Sequence, residues 1–159
     1  VPPYNQEAAK EALENPLSKV AVKEMVETFE ARRNLIWRQI NEIPGITCQK
    51  PGGAFYLFPN ISGVCENLGL IEKHQRLSKE QQSSPDNIFQ MFALYEHQVA
   101  VLDRKSFGQI GADGKYFLRL SIAADQAVLE EGVRRLKAAS EDLSGLDKFL
   151  KERPDLIPA

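Results

Sequence analysis

Hydrophobic and polar residues alternate most clearly between positions 116 and 122 of the chain, Tyr-Phe-Leu-Arg-Leu-Ser-Ile. Because successive side chains of a β-strand point to opposite faces, this alternation predicts a strand with two different faces. The hydrophobic face carries Tyr116, Leu118, Leu120 and Ile122. The other face carries Phe117, Arg119 and Ser121, so we expect it to present a single positive charge.

Two helices are predicted at the start of the chain. The first covers residues 5–14 and stops at Asn15-Pro16, since the residue before a proline avoids the helical region. The second begins at Ser18 and runs to about Ile43, with hydrophobic residues recurring at steps of three and four. Its predicted buried stripe consists of Val22, Met25, Val26, Phe29, Ile36, Ile40 and Ile43.

Shorter strands are predicted at residues 46–49, 54–58 and 99–102. The last of these is rich in β-branched residues, which favours an interior strand. Residues 60–82 are less regular, and we interpret them as a surface excursion with room for a short helix and with disorder-prone parts. A polar loop at 103–115 contains Gly108, Gly111 and Gly114, whose spacing does not match a phosphate-binding loop.

Three further helices complete the predicted fold. Ser84-Pro85-Asp86 has the residues of a helix start, and this helix ends near His97. Asp125 caps the next helix, and the segment 144–147 resembles a capping box for a terminal helix that reaches about Arg153. The predicted buried residues are Ile88, Met91, Phe92 and Tyr95 in the first of these helices, and Val128, Leu129, Val133, Leu136 and Leu143 in the second. Interleaved helices and strands indicate an α+β fold, a small and partly antiparallel sheet covered by helices on one face.

Composition narrows the class of protein. The chain has 159 residues, 43% of them hydrophobic, and a formal charge of -2, which gives no support for nucleic-acid binding. It contains no apolar run long enough for a membrane span and no signal peptide at its start. The absence of an initiator methionine predicts a fragment or a processed product. Two cysteines, Cys48 and Cys65, favour reduced thiols and a cytoplasmic location.

The residues offer few candidates for chemistry. His74 and His97 have no partners at metal-ligand spacing, so we interpret both as solvated and predict no metal site. No serine-nucleophile motif is present. Arg119 is the exception, because a buried arginine needs an anion, either a carboxylate of the protein or a carboxylate or phosphate of a ligand. We favour the ligand.

Four segments in order resemble one known family. They are EMVETFEARRNLI (24–36), INEIPGITCQKPGGAFYLFPNIS (40–62), VAVLDRKSFG (99–108) and YFLRLSIA (116–123). Together they resemble the C-terminal small domain of the class I/II aminotransferases, the aspartate aminotransferase family of fold-type I pyridoxal-phosphate enzymes. The resemblance covers about residues 4–143. It implies an end of the interdomain connection at 1–16, the small domain at 17–143, and a C-terminal helix and tail at 144–159.

The resemblance implies a role for Arg119. In that family the matching arginine binds the α-carboxylate of the amino-acid or 2-oxo-acid substrate, and a planar guanidinium suits that task. The family's Schiff-base lysine belongs to a large domain that this sequence does not show, and Ser18-Lys19 lacks the residues that follow that lysine. We therefore expect pyridoxal 5'-phosphate in the intact enzyme, bound mainly by the large domain, and no cofactor or activity in this chain alone. The implied partners are the substrate, the large domain and a second copy of the enzyme, with no nucleic acid or membrane.

Two points depart from the family pattern. Asp103-Arg104-Lys105 stands where relatives often have Pro-Gly, so Arg104 or Lys105 is a candidate to recognise a substrate side-chain carboxylate, against the plainer interpretation of a solvated loop. A different class of function also stays open, a stand-alone binding or interaction module that kept the fold and lost the catalytic half. A nucleic-acid binder of ferredoxin-like fold is disfavoured by the charge and by the lack of a basic aromatic face.

Overall fold

A small antiparallel sheet lies at the centre of the chain, whose computed structural model describes residues 1–77, 83–107 and 114–157. The strands are β1 (Tyr56–Leu57), β2 (Leu102–Asp103) and β3 (Leu118–Ser121), in the order β1-β3-β2. Both neighbours run antiparallel to β3, with Tyr56 opposite Ser121 and Leu102 opposite Arg119. The predicted α+β class and the alternation along β3 are confirmed.

Seven helices accompany this sheet within the described residues. They are α1 (Pro3–Glu14), α2 (Pro16–Asn41), α3 (Ser62–Asn67), α4 (Leu70–Arg76), α5 (Pro85–Tyr95), α6 (Gln126–Glu141) and α7 (Leu143–Glu152), with 3-10 turns at Lys105–Phe107 and Pro154–Leu156.

Two helix starts follow from local chemistry. The Asn15 side chain accepts a hydrogen bond from the Leu17 amide at 2.9 Å, and Pro16 fills the first position of α2, where no amide is needed. Ser84 and Pro85 begin α5 in the predicted way.

The core lies on one side of the sheet. Leu57, Leu118 and Ile122 are at most 1% exposed and belong to this core. The largest side chains packed there are Phe89 and Phe92 of α5, Phe149 of α7, and Ile36 and Ile40 of α2. A buried aromatic and aliphatic cluster of this size is the main source of stability of a domain.

The region 60–77 differs from the predicted surface excursion. It forms α3 and α4, and Val64, Cys65, Leu68 and Leu70 are at most 2% exposed. These helices have six and seven residues, which is too short for a hydrophobic repeat to be recognised in the sequence. Residues 78–82 lie outside the described residues.

Three predicted stripes are exposed at their ends. Val22, Met25 and Val26 of α2 are each more than half exposed, although Ile36, Ile40 and Ile43 are buried as predicted. Val128 of α6 and Leu143, which is the first residue of α7, are also exposed, as is Tyr95 at the end of α5. The first half of α2 therefore presents a hydrophobic surface that the described residues do not cover.

Other local predictions need correction. Residues 99–102 were predicted as an interior strand, but β2 begins only at Leu102 and lies at the sheet edge, because β3 occupies the centre. The run 46–49 contributes one isolated bridge, between Thr47 and Asn60. The terminal helix α7 is capped by Asp142, whose Oδ1 accepts from the Gly145 amide at 2.8 Å, and not by a capping box at 144–147.

One close backbone crossing joins the end of α2 to α3. Gly45 has a φ of +84°, and a Cβ added there would lie 2.6 Å from the Val64 amide nitrogen. A Cβ at Gly63 would lie 2.7 Å from the Gly45 Cα. Both positions need glycine, because any side chain would force the two segments apart.

Candidate functional site

Arg119 lies in the middle of the central strand, on the face of the sheet opposite to the core. Its neighbours on that face follow from the register, since directly paired residues of antiparallel strands share a face. Leu102 is its partner on β2, and Tyr56 on β1 is paired with Ser121, two residues further along β3. The sheet thus places the Arg119 guanidinium near an aromatic residue of β1 and an aliphatic residue of β2.

Two aromatic rings enclose the guanidinium of Arg119. Its Cζ lies 4.3 Å from the centroid of the Tyr56 ring and 4.4 Å from that of Phe107. A cation held over an aromatic face is attracted by the ring quadrupole, by about 0.5–1 kcal/mol at an exposed site. No carboxylate within residues 1–77, 83–107 and 114–157 forms an ion pair with Arg119. The rings, rather than an acid, are the described partners of this charge.

The aromatic surface, which we define as Tyr56, Phe58, Phe107 and Phe117, extends beyond Arg119. Phe58 stacks on Phe117 at 5.3 Å with an interplanar angle of 16°, and it meets Phe107 edge-on at 6.4 Å. Phe58 and Phe107 are 41% and 48% exposed. A continuous set of half-exposed rings around a cation is unusual for a surface that only meets water and indicates a binding site.

Arg104 lies on the same surface. Its Cζ is 5.4 Å from the centroid of Phe117, and its side chain is half-buried, which differs from the solvated loop that the sequence favoured. The fold therefore brings the two arginines singled out in the sequence to one aromatic surface, Arg119 at Tyr56 and Phe107, and Arg104 at Phe117.

The turn that carries Phe107 is fastened to α5 by a buried acid. Asp103 is 2% exposed, and its carboxylate accepts hydrogen bonds from Ser106 Oγ at 2.7 Å and from Asn87 Nδ2 at 3.0 Å. Its own amide donates to Gln90 Oε1 at 3.0 Å. Because Asn87 and Gln90 belong to α5 and Ser106 to the turn, these bonds join the turn 103–107 to the helix.

A second buried acid lies beneath the same turn. Asp86, in the first turn of α5, is 3% exposed, and its Oδ2 accepts from the amides of Arg104 at 3.3 Å and Phe117 at 3.5 Å. Burial, the Cys65 thiol and the Asp86 carboxylate raise the pKa of Tyr116. Burial, with Asp86 and Glu66 nearby, also raises the pKa of Cys65, so that this thiol is inert.

The remaining predicted candidates lie elsewhere. Lys19 is exposed on the first turn of α2. His74 contacts the Ser83 carbonyl oxygen at 2.5 Å, and His97 lies edge-on to Phe92 at 5.0 Å and 3.3 Å from Asp142, so both are half-buried rather than solvated. Among the described residues, no three histidine, cysteine or acidic side chains are close enough to hold a metal ion.

The sequence missed the residues that surround Arg119. Tyr56 and Phe107 reach the guanidinium from segments more than ten residues away along the chain. The signals were weak: an aromatic residue in a polar loop for Phe107, and the alternation of β1 for Tyr56. Gly108 and Gly111 of that loop lie outside the described residues.

The described helices include none that is both long enough and apolar enough to cross a membrane. Both cysteines are free and buried.

Comparison with known proteins gives a consistent result. No known protein-family profile matches the chain. The chain is 40% identical over 140 residues, 88% of its length, to a probable aspartate/prephenate aminotransferase from Aquifex aeolicus (strain VF5), of which it covers 30%.

Solved structures with the same fold include two aminotransferases. An aromatic aminotransferase from Pyrococcus horikoshii OT3 has a TM-score of 0.63 and 32% identity, with 96% of this chain and 32% of that one covered. A PLP-bound putative aminotransferase from Clostridium difficile 630 has a TM-score of 0.59 and 25% identity, with 81% and 28% covered. The chain spans about 30% of the length of the curated relatives that it matches.

Proposed function

This chain belongs to the aspartate aminotransferase family, of whose members it matches a C-terminal portion, and on that premise we propose that Arg119 binds the α-carboxylate of the substrate. The intact protein would transfer an amino group between an L-amino acid and a 2-oxo acid. The observation that carries the proposal is the setting of Arg119, a half-buried guanidinium between two rings with no described carboxylate beside it.

The geometry suits a carboxylate. The Tyr56 and Phe107 rings contact the guanidinium but accept none of the directed N–H bonds that it donates to an anion. A carboxylate that approaches the guanidinium along its edge accepts two parallel hydrogen bonds, and a bidentate pair fixes its orientation as well as its position. The orientation of the substrate carbon next to the carboxylate is thereby set, which is the main contribution that binding makes to a proton transfer.

The proposal places pyridoxal phosphate in the intact enzyme and its contacts outside this chain. A reactive lysine needs desolvated surroundings. Lys19 is exposed on α2, and Lys50 and Lys115 line a groove with Phe58 and Phe117 but are also solvent-exposed. These three lysines do not meet that requirement, and carboxylate binding is the only step that we assign to the described residues.

The large domain of the same enzyme is the proposed partner for the exposed half of α2. Val22, Met25, Val26 and Phe29 form one side of an open groove of about 450 Å³, whose other side includes Phe55. Hydrophobic side chains in such number are normally covered by protein. The small share of its relatives that this chain spans supports the same partner. The proposal extends to a homodimeric, cytoplasmic enzyme of amino-acid metabolism, with the free Cys48 and Cys65 in keeping with a reducing compartment.

A second part of the proposal concerns Arg104, which we assign to a carboxylate in the side chain of the substrate. Its place on the aromatic surface, over Phe117, supports this role. In the intact enzyme, Arg104→Ala should raise KM for an acidic amino acid and leave KM for an aromatic one unchanged. Equal effects on both substrates would contradict the assignment.

The test of the main proposal is steady-state kinetics of the intact enzyme with Arg119→Ala. We expect kcat/KM to fall about 100-fold or more, since a hydrogen bond to a charged group is worth about 1.5–3 kcal/mol and two are lost. Arg119→Lys keeps the charge but loses the fork, so it should recover only part of the activity. The matched control is Arg153→Ala, which removes an arginine lying 5.5 Å from the ring of Tyr95. Unchanged kinetics of Arg119→Ala would overturn the proposal.

A further inference from the structure

We propose that Phe107 is a positioning residue which, together with Tyr56, holds the Arg119 guanidinium in the plane needed for a bidentate carboxylate, and that Asp103 and Ser106 hold Phe107 in place. This inference rests on the proposed role of Arg119 and adds to it the residues that make the arginine selective.

The distances between the Arg119 guanidinium and the two rings are the first observation in support. The Tyr56 and Phe107 centroids lie at nearly equal distances from the Arg119 Cζ, 4.3 Å and 4.4 Å, so both rings contact the cation equally closely. A free arginine side chain has many rotamers, and holding one of them costs conformational entropy. Two rings that restrict the guanidinium before the substrate arrives remove that cost from the binding step.

The two rings are not held in the same way. Tyr56 belongs to β1 and is fixed by the sheet. Phe107 is the last residue of a 3-10 turn, is 48% exposed, and has no strand to hold it. Its turn is held by the bond from the Phe107 amide to the Arg104 carbonyl at 2.8 Å and by the preceding residue, Ser106, whose hydroxyl donates to Asp103 at 2.7 Å.

Asp103 connects this turn to the body of the protein. The same carboxylate that accepts from Ser106 accepts from Asn87 Nδ2 on α5 at 3.0 Å. The path from the helix to the guanidinium therefore runs through Asn87, Asp103, Ser106 and Phe107. Loss of the Ser106–Asp103 bond should loosen the turn that carries the Phe107 ring while leaving the arginine and its charge in the site.

The experiment compares an amino-acid substrate of the intact enzyme with the carboxamide of the same amino acid. The carboxamide keeps the amino group and side chain but lacks the carboxylate, so the ratio of the two kcat/KM values reports carboxylate recognition alone. Phe107→Leu should lower this ratio about tenfold, mainly through KM of the acid. Phe107→Tyr, which keeps the ring, should restore it.

The matched control is Tyr95→Leu. Tyr95 is a similarly exposed aromatic residue, at 44%, and also faces an arginine, Arg153, away from the site. Its replacement should leave the ratio unchanged. A general structural effect of Phe107→Leu would lower kcat/KM for the acid and the carboxamide alike, and that result would overturn the inference.

A double-mutant cycle separates this inference from the proposal on which it rests. In an Arg119→Lys background the two parallel N–H donors of the guanidinium are absent, so Phe107→Leu should have little further effect on the ratio. If Arg119→Lys itself leaves the ratio unchanged, the carboxylate role of Arg119 fails. If Arg119→Lys lowers the ratio but Phe107→Leu does not, only the role of Phe107 fails.

The role of Asp103 and Ser106 is tested with Ser106→Ala, which removes one hydrogen bond and no buried charge. We expect a fall in the ratio of about threefold, smaller than for Phe107→Leu because the ring remains available. Asp103→Ala should give a larger fall, provided that circular dichroism shows a folded protein. A folded Ser106→Ala enzyme with an unchanged ratio would show that Phe107 does not depend on this bond.

Discussion

The two faces of β3 differ in how far the described residues cover their side chains. On one face, Leu118 and Ile122 are covered by side chains of the same chain and are at most 1% exposed. On the other, Arg119 lies between two rings, and Phe58 and Phe107 remain more than 40% exposed. One short strand thus contributes to stability with one set of side chains and, in the proposed function, to recognition with the other, so we expect mutations to affect the two roles separately.

The largest effect on stability should come from the inner face. Leu118→Ala removes a fully buried side chain next to Phe-rich helices, and we expect the free energy of unfolding to fall by about 2–5 kcal/mol. Urea denaturation followed by far-UV circular dichroism measures this change. Leu102→Ala, on the outer face and 37% exposed, is the control and should cost far less. Similar losses for both would contradict the division between the faces.

The next largest effect should come from the acid that holds the Phe107 turn. Asp103→Ala removes a buried carboxylate, 2% exposed, that accepts from Asn87 Nδ2 and the Ser106 hydroxyl, and a hydrogen bond to a charged group is worth about 1.5–3 kcal/mol. The same denaturation experiment applies, with the exposed Asp155→Ala as control. An unaltered midpoint for Asp103→Ala would mean that the turn is not held by this carboxylate.

A much smaller effect on stability is expected at Arg119. Replacement by alanine removes two cation–ring contacts and no described ion pair, so the free energy of unfolding should change by about 1 kcal/mol. The same substitution should abolish most of the activity of the intact enzyme. A loss of stability as large as that of Leu118→Ala would show that Arg119 serves the fold instead of the substrate.

The smallest effect concerns arginines that do have a carboxylate. Hydrogen bonds from Arg134 and Arg135 on the surface of α6 lower the pKa of Glu131 to about 2. This pKa is below the ordinary value, so the favourable contribution is present above about pH 4.5 and is lost as the pH falls towards 2. An NMR titration should show this low pKa, and Arg134→Gln should raise it. A Glu131 pKa near 4.5 in the unchanged protein would contradict the pairing of this carboxylate with Arg134 and Arg135, which distinguishes these arginines from Arg119.

The sequence predicts most of what depends on neighbours along the chain. The alternation in 116–122 defines both faces of β3, and the cap and proline at Ser84 and Pro85 define the start of α5. These signals are local, since a strand or a helix start is decided by a few adjacent residues.

What the sequence does not predict depends on contacts between distant segments. The ring of Phe107 reaches Arg119 through a turn held by α5, and no spacing rule describes that path. Val22, Met25 and Val26 follow a regular helical repeat and yet are exposed, because a repeat indicates a hydrophobic face but not which segment, if any, of the same chain packs against it. The helices α3 and α4 were not predicted for a third reason, since a hydrophobic repeat needs more than two helical turns to be recognised.

The order of strands in the sheet has a consequence for biosynthesis. The central strand is the last of the three to be made, and its partners precede it by about 60 and 16 residues along the chain. While the chain emerges from the ribosome, neither β1 nor β2 has anything to pair with until residues 118–121 appear. The strand that closes the sheet also contains Arg119, so a nascent chain acquires its proposed binding arginine only when the sheet can be completed.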